Sequence, residues 1–129
     1  MAKKQIHDPG WKWDDHFPIS QGVQSGNMIY VSGQVAIDPS GKMVGKGDMK
    51  AQTRQTLENI RSVLAVAGAT MEDVVKMTSF VTDMSKVGEA LEVRGEFFAP
   101  QPPASTTVEV KALIYPDLMI EIEVVAMKG

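Results

Sequence analysis

The chain has no cysteine. That excludes a disulfide framework, a thiolate metal site and a thiol nucleophile. It has no basic excess either: 13 Lys and Arg stand against 16 Asp and Glu, for a net charge of −3. The lysines are scattered, so the electrostatic footprint of a nucleic-acid binder is missing. No run of about 18 apolar residues occurs, so nothing is expected to span a membrane. Met1–Asp8 lacks an apolar segment, so no signal peptide is expected, and the sequence fits a reducing cytoplasm. Several catalytic signatures are also missing. There is no Gly-rich phosphate loop ending in Lys-Ser/Thr and no dinucleotide fingerprint. There is no Gly-x-Ser-x-Gly elbow, and Ser32 has no sequence sign of a His-Asp relay. His7 and His16 lie near Asp8, Asp14 and Asp15, but not at spacings that converge ligands on one ion. Neither a metal nor a cofactor is expected.

What is present fits one α+β domain over residues 1–129, preceded by a polar and aromatic arm at 1–17 whose Trp11 and Trp13 are expected to pack on a neighbour. Gln21–Gly26 reads as a short strand, Gly26-Asn27 as a hairpin turn, and Met28–Gln34 as a central strand. Asp38-Pro39-Ser40-Gly41 carries turn chemistry. Asp48 caps a helix over Met49–Ala67, with Leu57, Ile60, Val63 and Leu64 at helical spacing and Gly68 just past its end. Arg54–Glu58 and Glu58–Arg61 are expected as pairs on its wet face. Val74–Val81 follows as a strand in a crossover with parallel pairing. Ser85 is expected to cap a second helix, Lys86–Phe98, buried along Val87, Leu91 and Phe98 with Arg94 beside that stripe.

The last segment reads as two strands, Ala104–Leu113 and Leu118–Met127, around an Ile-Tyr-Pro-Asp corner. Alternation assigns Val108, Val110, Ile120, Ile122 and Val124 to a core. The opposite set, Ser105, Thr107, Glu109, Glu121 and Glu123, makes one polar face. The predicted order is β-β-α-β-α-β-β, a mixed sheet with two helices on one face.

Several segments carry a resemblance to a known family. They are Gln21-Gly22-Val23, Gly26–Gln34, Gln52–Gln55, Leu57–Ile60, Phe97-Phe98, Val108-Glu109-Val110 and Ile120–Glu123. In order and spacing the chain resembles the Rid (reactive intermediate deaminase) family, also called YjgF-like or L-PSP endoribonuclease-like. The resemblance implies a chorismate-mutase-like fold and a homotrimeric barrel that binds a small substrate in clefts between subunits. It also implies cofactor-independent hydrolysis of enamines or imines to a carbonyl compound and ammonia. Carried over, the water-handling glutamate is Glu121 and the Ser-Gly pair is Ser32 and Gly33. The family's carboxylate-binding arginine falls on Ser105, its cysteine on Thr107, and its pocket tyrosine on Ile19. A second-helix asparagine and tyrosine fall on Leu91 and Arg94. A bidentate arginine–carboxylate contact makes two charge-assisted bonds of roughly 1.5–3 kcal/mol each. Its loss implies altered specificity, as in branches of the family that lack the arginine, unless Arg94 substitutes. The alternatives are a non-enzymatic small-molecule-binding or regulatory trimer and, by the family's other name alone, a ribonuclease.

Overall fold

The longest helix begins where Asp48 stops being extended: its carboxylate accepts the amide of Ala51 and caps α1, Met49–Val66. Gly68 lies just beyond the end at φ +77°, the left-handed conformation glycine adopts without strain. Leu57, Ile60, Val63 and Leu64 are fully buried. Each contributes roughly 1.5–3 kcal/mol by leaving water. They rest on one side of a six-stranded sheet. In this computed structural model, residues 3–129 are described; Met1 and Ala2 of the expected arm lie outside them.

The strands are β1 (Gln5–His7), β2 (Gly22–Ser25), β3 (Met28–Val35), β4 (Val74–Val81), β5 (Ala104–Glu109) and β6 (Ile120–Met127). Their spatial order is β1-β2-β3-β6-β4-β5. The hairpin at Gly26-Asn27 is as expected, with Gly26 at φ +60°. The second helix, α2, is Val87–Phe98 and packs beside α1 on the same side of the sheet.

Several expectations need correction. The arm is not featureless: β1 adds an antiparallel edge strand to β2, too short for alternation to reveal. Trp11 and Trp13 pack on their own chain; Trp11 joins the core and stacks on Trp13 with centroids 6.3 Å apart. The two C-terminal strands are not partners, because β4 lies between them, parallel to β5 and antiparallel to β6. The parallel crossover is therefore β4–α2–β5, while β6 separates β3 from β4. Finally, Asp83 and not Ser85 caps the entry to α2, through a 3-10 turn at Met84–Lys86.

Phe98 is buried on α2 as expected, but the rest of the buried stripe is Ala90 and Val93, which leaves Val87 half-buried and Leu91 49% exposed. Arg54 reaches across to Glu96 of α2 and does not pair with Glu58, whereas Arg61 pairs with Glu58 as expected.

Register decides the most consequential correction. Phe80 of β4 lies opposite both Glu121 of β6 and Val108 of β5, and Ser79 lies opposite Ile122 and Thr107. Directly opposed residues share a face. Glu121 and Glu123 therefore lie with Val108 on the side away from the helices, and Ser105, Thr107 and Glu109 lie on the helix side. The single polar face read from the sequence is two faces.

Candidate active site

The site begins with a break in β3. Val31 pairs with Val124 and Gln34 with Ile122, so Ser32 and Gly33 together oppose the single Glu123. This two-for-one bulge bends the strand and takes the pair out of the ladder. Side chains then fix the bulge. The Ser32 hydroxyl donates to the Ser20 carbonyl at 2.6 Å, and its amide donates to the Gln21 carbonyl at 2.9 Å. The amide nitrogen of Gln34 donates to the Ser32 carbonyl at 3.0 Å and to Gln21 Oε1 at 2.6 Å. Gln21 in turn donates to the carboxylate of Asp14. Two buried glutamines thus tie the bulge to the N-terminal segment.

Glu121 lies over Gly33. A Cβ on Gly33 would stand 2.9 Å from Glu121 Cδ and 3.1 Å from Cγ, so the missing side chain makes room for the carboxylate. Among the described residues no cation is within ion-pairing distance of Glu121. Burial raises its pKa above the ordinary glutamate value, and the negative charge of Glu123 adds to the rise. A carboxyl kept from water in this way is a stronger base when ionised.

The carboxylate borders a cavity of about 350 Å³. Ser32, Gly33 and Gln34 form its floor with Glu121, and Gln21 adjoins them. The walls are mostly apolar: Trp13, Phe17 and Ile19 come from the N-terminal segment, Val35 from the end of β3, Ile37 from just beyond it, and Ile114 and Tyr115 from the loop before β6. The helix side braces these walls. Asn59 donates to the carbonyls of Val35 and Ile37 at 3.0 and 2.8 Å. Gln52 donates to the Asp117 carbonyl at 2.8 Å and accepts the Met119 amide at 2.7 Å.

With this geometry in place, the likeness to known proteins is specific. Residues 15–128 match the family model described as Endoribonuclease L-PSP. The chain belongs to the Rid/YjgF family. A RutC family protein of Pyrococcus horikoshii is 43% identical over 111 residues, covering 86% of this chain and 87% of that one. A Yersinia pestis protein of unknown function from the conserved Rid family, YyfA, is 35% identical with a TM-score of 0.90, covering 97% of this chain and 99% of that one. The YjgF gene product of E. coli is 33% identical with a TM-score of 0.88, over 97% and 99% of the two chains.

Within this Rid-family chain the eight expected site residues divide. Glu121, Ser32, Gly33 and Ile19 meet at the cavity. Leu91 and Arg94 line a separate cavity of about 250 Å³ on the helix side; Ser105 lines neither cavity but accepts a hydrogen bond from Arg94. Thr107 lies two residues beyond Ser105 on the same face of β5 and lines neither cavity. The sequence reading missed Gln21 and Gln34 as the braces of the bulge, and Trp13, Phe17, Ile114 and Tyr115 as walls. A glutamine inside an otherwise apolar β-run was the one available signal for Gln34. Among the described residues no three His, Cys, Asp or Glu side chains cluster closely enough to hold a metal ion, and no helix is long and apolar enough to cross a membrane.

Proposed function

We propose that the chain hydrolyses a reactive imine or enamine to a carbonyl compound and ammonia, with specificity altered from that of relatives with an arginine at the Ser105 position. The observation that carries this reading is Glu121: a partly desolvated carboxylate with no counter-ion among the described residues, seated over Gly33 in a mostly apolar cavity. The ionised carboxylate takes a proton from water as the water oxygen bonds to the imine carbon. The nitrogen gains protons, the C–N bond breaks, and the carbonyl compound and ammonia leave. Water supplies the oxygen, so the reaction consumes no cofactor. The bulge at Ser32-Gly33 positions the reacting group, and Ile19 gives an apolar wall at the position of the family's tyrosine.

Residues 1–129 act in this reading as one domain assembled into a homotrimer in the cytoplasm. The sheet face away from the helices supports assembly, since Tyr30, Val108 and Met127 are exposed there at 48%, 39% and 47%. Neighbouring copies would cover that face and bring Leu91, Arg94, Ser105 and Thr107 of one copy toward the Glu121 cavity of the next. The second reading is a non-enzymatic binder. It is favoured by the Ser32 hydroxyl, whose proton is engaged with the Ser20 carbonyl and so is not free to donate to a bound group.

An oxidase that generates imines in situ from a panel of amino acids provides the test. The protein is expected to accelerate ammonia release, and Glu121→Ala to reduce that acceleration by about 10²–10⁴-fold, the range for losing a general base. Acceleration on no imine, or one undiminished by the substitution, rejects the reading in favour of the binder.

A further inference from the structure

Among the described residues, the charges around the Glu121 cavity are of one sign. No lysine, arginine or histidine lines it. Glu123 lies two residues along β6 on the same face as Glu121. A smaller pocket of about 160 Å³ shares Phe17, Ile19 and Gln21 with the cavity. It is edged by Asp8, Asp14 and Asp15 and has no basic lining residue either. The polar side chains of the cavity floor are already committed as donors. Ser32 gives its hydroxyl proton to the Ser20 carbonyl, Gln34 donates to Ser32 and Gln21, and Gln21 donates to Asp14. The side-chain donors that remain, chiefly Trp13 Nε1, which has no partner, and the Tyr115 hydroxyl, are neutral.

A carboxylate entering this cavity meets a like charge and no counter-ion, and an anion withdrawn from water without a partner is strongly disfavoured. A cation gains Glu121 as its partner, and the aromatic walls Trp13, Phe17 and Tyr115 attract cations through their ring faces. The mostly apolar space of about 350 Å³ suits an aryl or branched alkyl group. We propose that the substrate of the Glu121 site is an iminium that bears an apolar side chain and no carboxylate, the kind formed when a primary amine is oxidised. The supplying reaction passes two electrons and two protons from R–CH2–NH2 to dioxygen. It leaves hydrogen peroxide and R–CH=NH, which is protonated to the iminium. Water adds to the iminium carbon as Glu121 takes its proton. That proton passes to nitrogen, the C–N bond breaks, and an aldehyde and an ammonium ion leave. The inference rests on the deaminase reading and names its substrate class. Arg94 is the rival feature: held on Ser105 on the helix side, it is outside the cavity of its own chain.

Matched imines that differ only in the carboxylate provide the test. A flavin amine oxidase acting on 2-phenylethylamine makes one, and an amino-acid oxidase acting on phenylalanine makes the other, both with catalase present. The intact protein is expected to accelerate ammonia release from the amine-derived imine with a kcat/KM at least tenfold above that for the imino acid. An equal or reversed preference would overturn the proposal. If that reversed preference disappears in Arg94→Met, a neighbouring copy's arginine supplies the cation missing here. Binding is read separately by calorimetry with 2-phenylethylammonium, 2-phenylethanol and 3-phenylpropanoate. The ammonium ion is expected to bind best and the carboxylate not at all. Glu121→Gln, which keeps the shape and removes the charge, should weaken the ammonium ion at least tenfold and leave the alcohol unchanged. Binding of the carboxylate in preference to the ammonium ion, or ammonium binding indifferent to Glu121→Gln, would also overturn the proposal. Glu121-dependent ammonium binding without turnover of any imine removes the deaminase reading, and with it the substrate, while the charge selectivity of the cavity stands. Turnover confined to imino acids removes the substrate class alone.

Discussion

The two faces of the sheet are built from the same strands and have opposite fates. On one, Ile29, Met77, Ile120 and Ile122 are fully buried under α1 and α2. On the other, Tyr30, Val108 and Met127 remain substantially exposed, interleaved with Lys76, Thr106 and Glu123. Glu121 belongs to this second face, at its border with the cavity. The helix-covered face holds the fold together. The open face carries the proposed chemistry, because a carboxylate there is half out of water without being sealed in the core. Asn59 and Gln52 connect the two from α1: Asn59 grips the backbone of the wall residues Val35 and Ile37, and Gln52 the backbone of Asp117 and Met119, between the Tyr115 wall and Glu121.

Paired truncations would break or sharpen this contrast. Ile122→Ala should cost about 2–5 kcal/mol in urea unfolding, as for other fully buried aliphatic side chains. Tyr30→Ala, on the same sheet and pointing the other way, should cost far less in a dilute monomer. If it costs as much, and the cost grows with protein concentration, the open face is covered by other copies in solution.

Gly33→Ala addresses the border between the faces. Its Cβ must displace the Glu121 carboxylate, an overpacking expected to cost about 1–3 kcal/mol and to reduce ammonia release well beyond the loss of stability. Full activity in that variant would mean that Glu121 works from another position.

The smallest effect belongs to Glu123→Gln. Removing that charge takes away the secondary cause of the raised pKa of Glu121 and leaves burial, the primary one. Catalysis by the ionised carboxylate falls as pH drops through the raised value. The acid limb of the pH–rate profile should therefore move to lower pH, while burial still holds it above the position of an ordinary glutamate. Stability has the opposite sign. With its folded pKa raised, Glu121 favours folding most below its unfolded value, and this is lost as pH rises through the folded value. Glu121→Gln should remove that decline.

The sequence made most of the elements legible where periodicity was strong. Leu57, Ile60 and Leu64 specify α1, and the unbroken run from Met28 specifies β3. Alternation along β5 revealed two sets of residues but not which one meets the helices. That choice is made by pairing with β4, which sets Phe80 against Val108. The error mattered because it placed Ser105 beside Glu121 when the sheet separates them. Glu121, Ser32 and Gly33 were legible through the family resemblance, and the cavity brings them together. The Gln21–Gln34 brace was not, since a buried glutamine is identified by its partner and the partner is 13 residues away. Arg94 was visible as an arginine on a helix, but its contact with Ser105 depends on how α2 lies over β5.

The chain has two tryptophans. Trp13 lines the Glu121 cavity, and Trp11 stacks on it. Ultraviolet emission from this protein therefore originates beside the proposed reaction centre. A ligand that enters or dries the cavity would alter the intensity or colour of that light, so occupancy could be followed in the unlabelled molecule, in real time and independently of turnover.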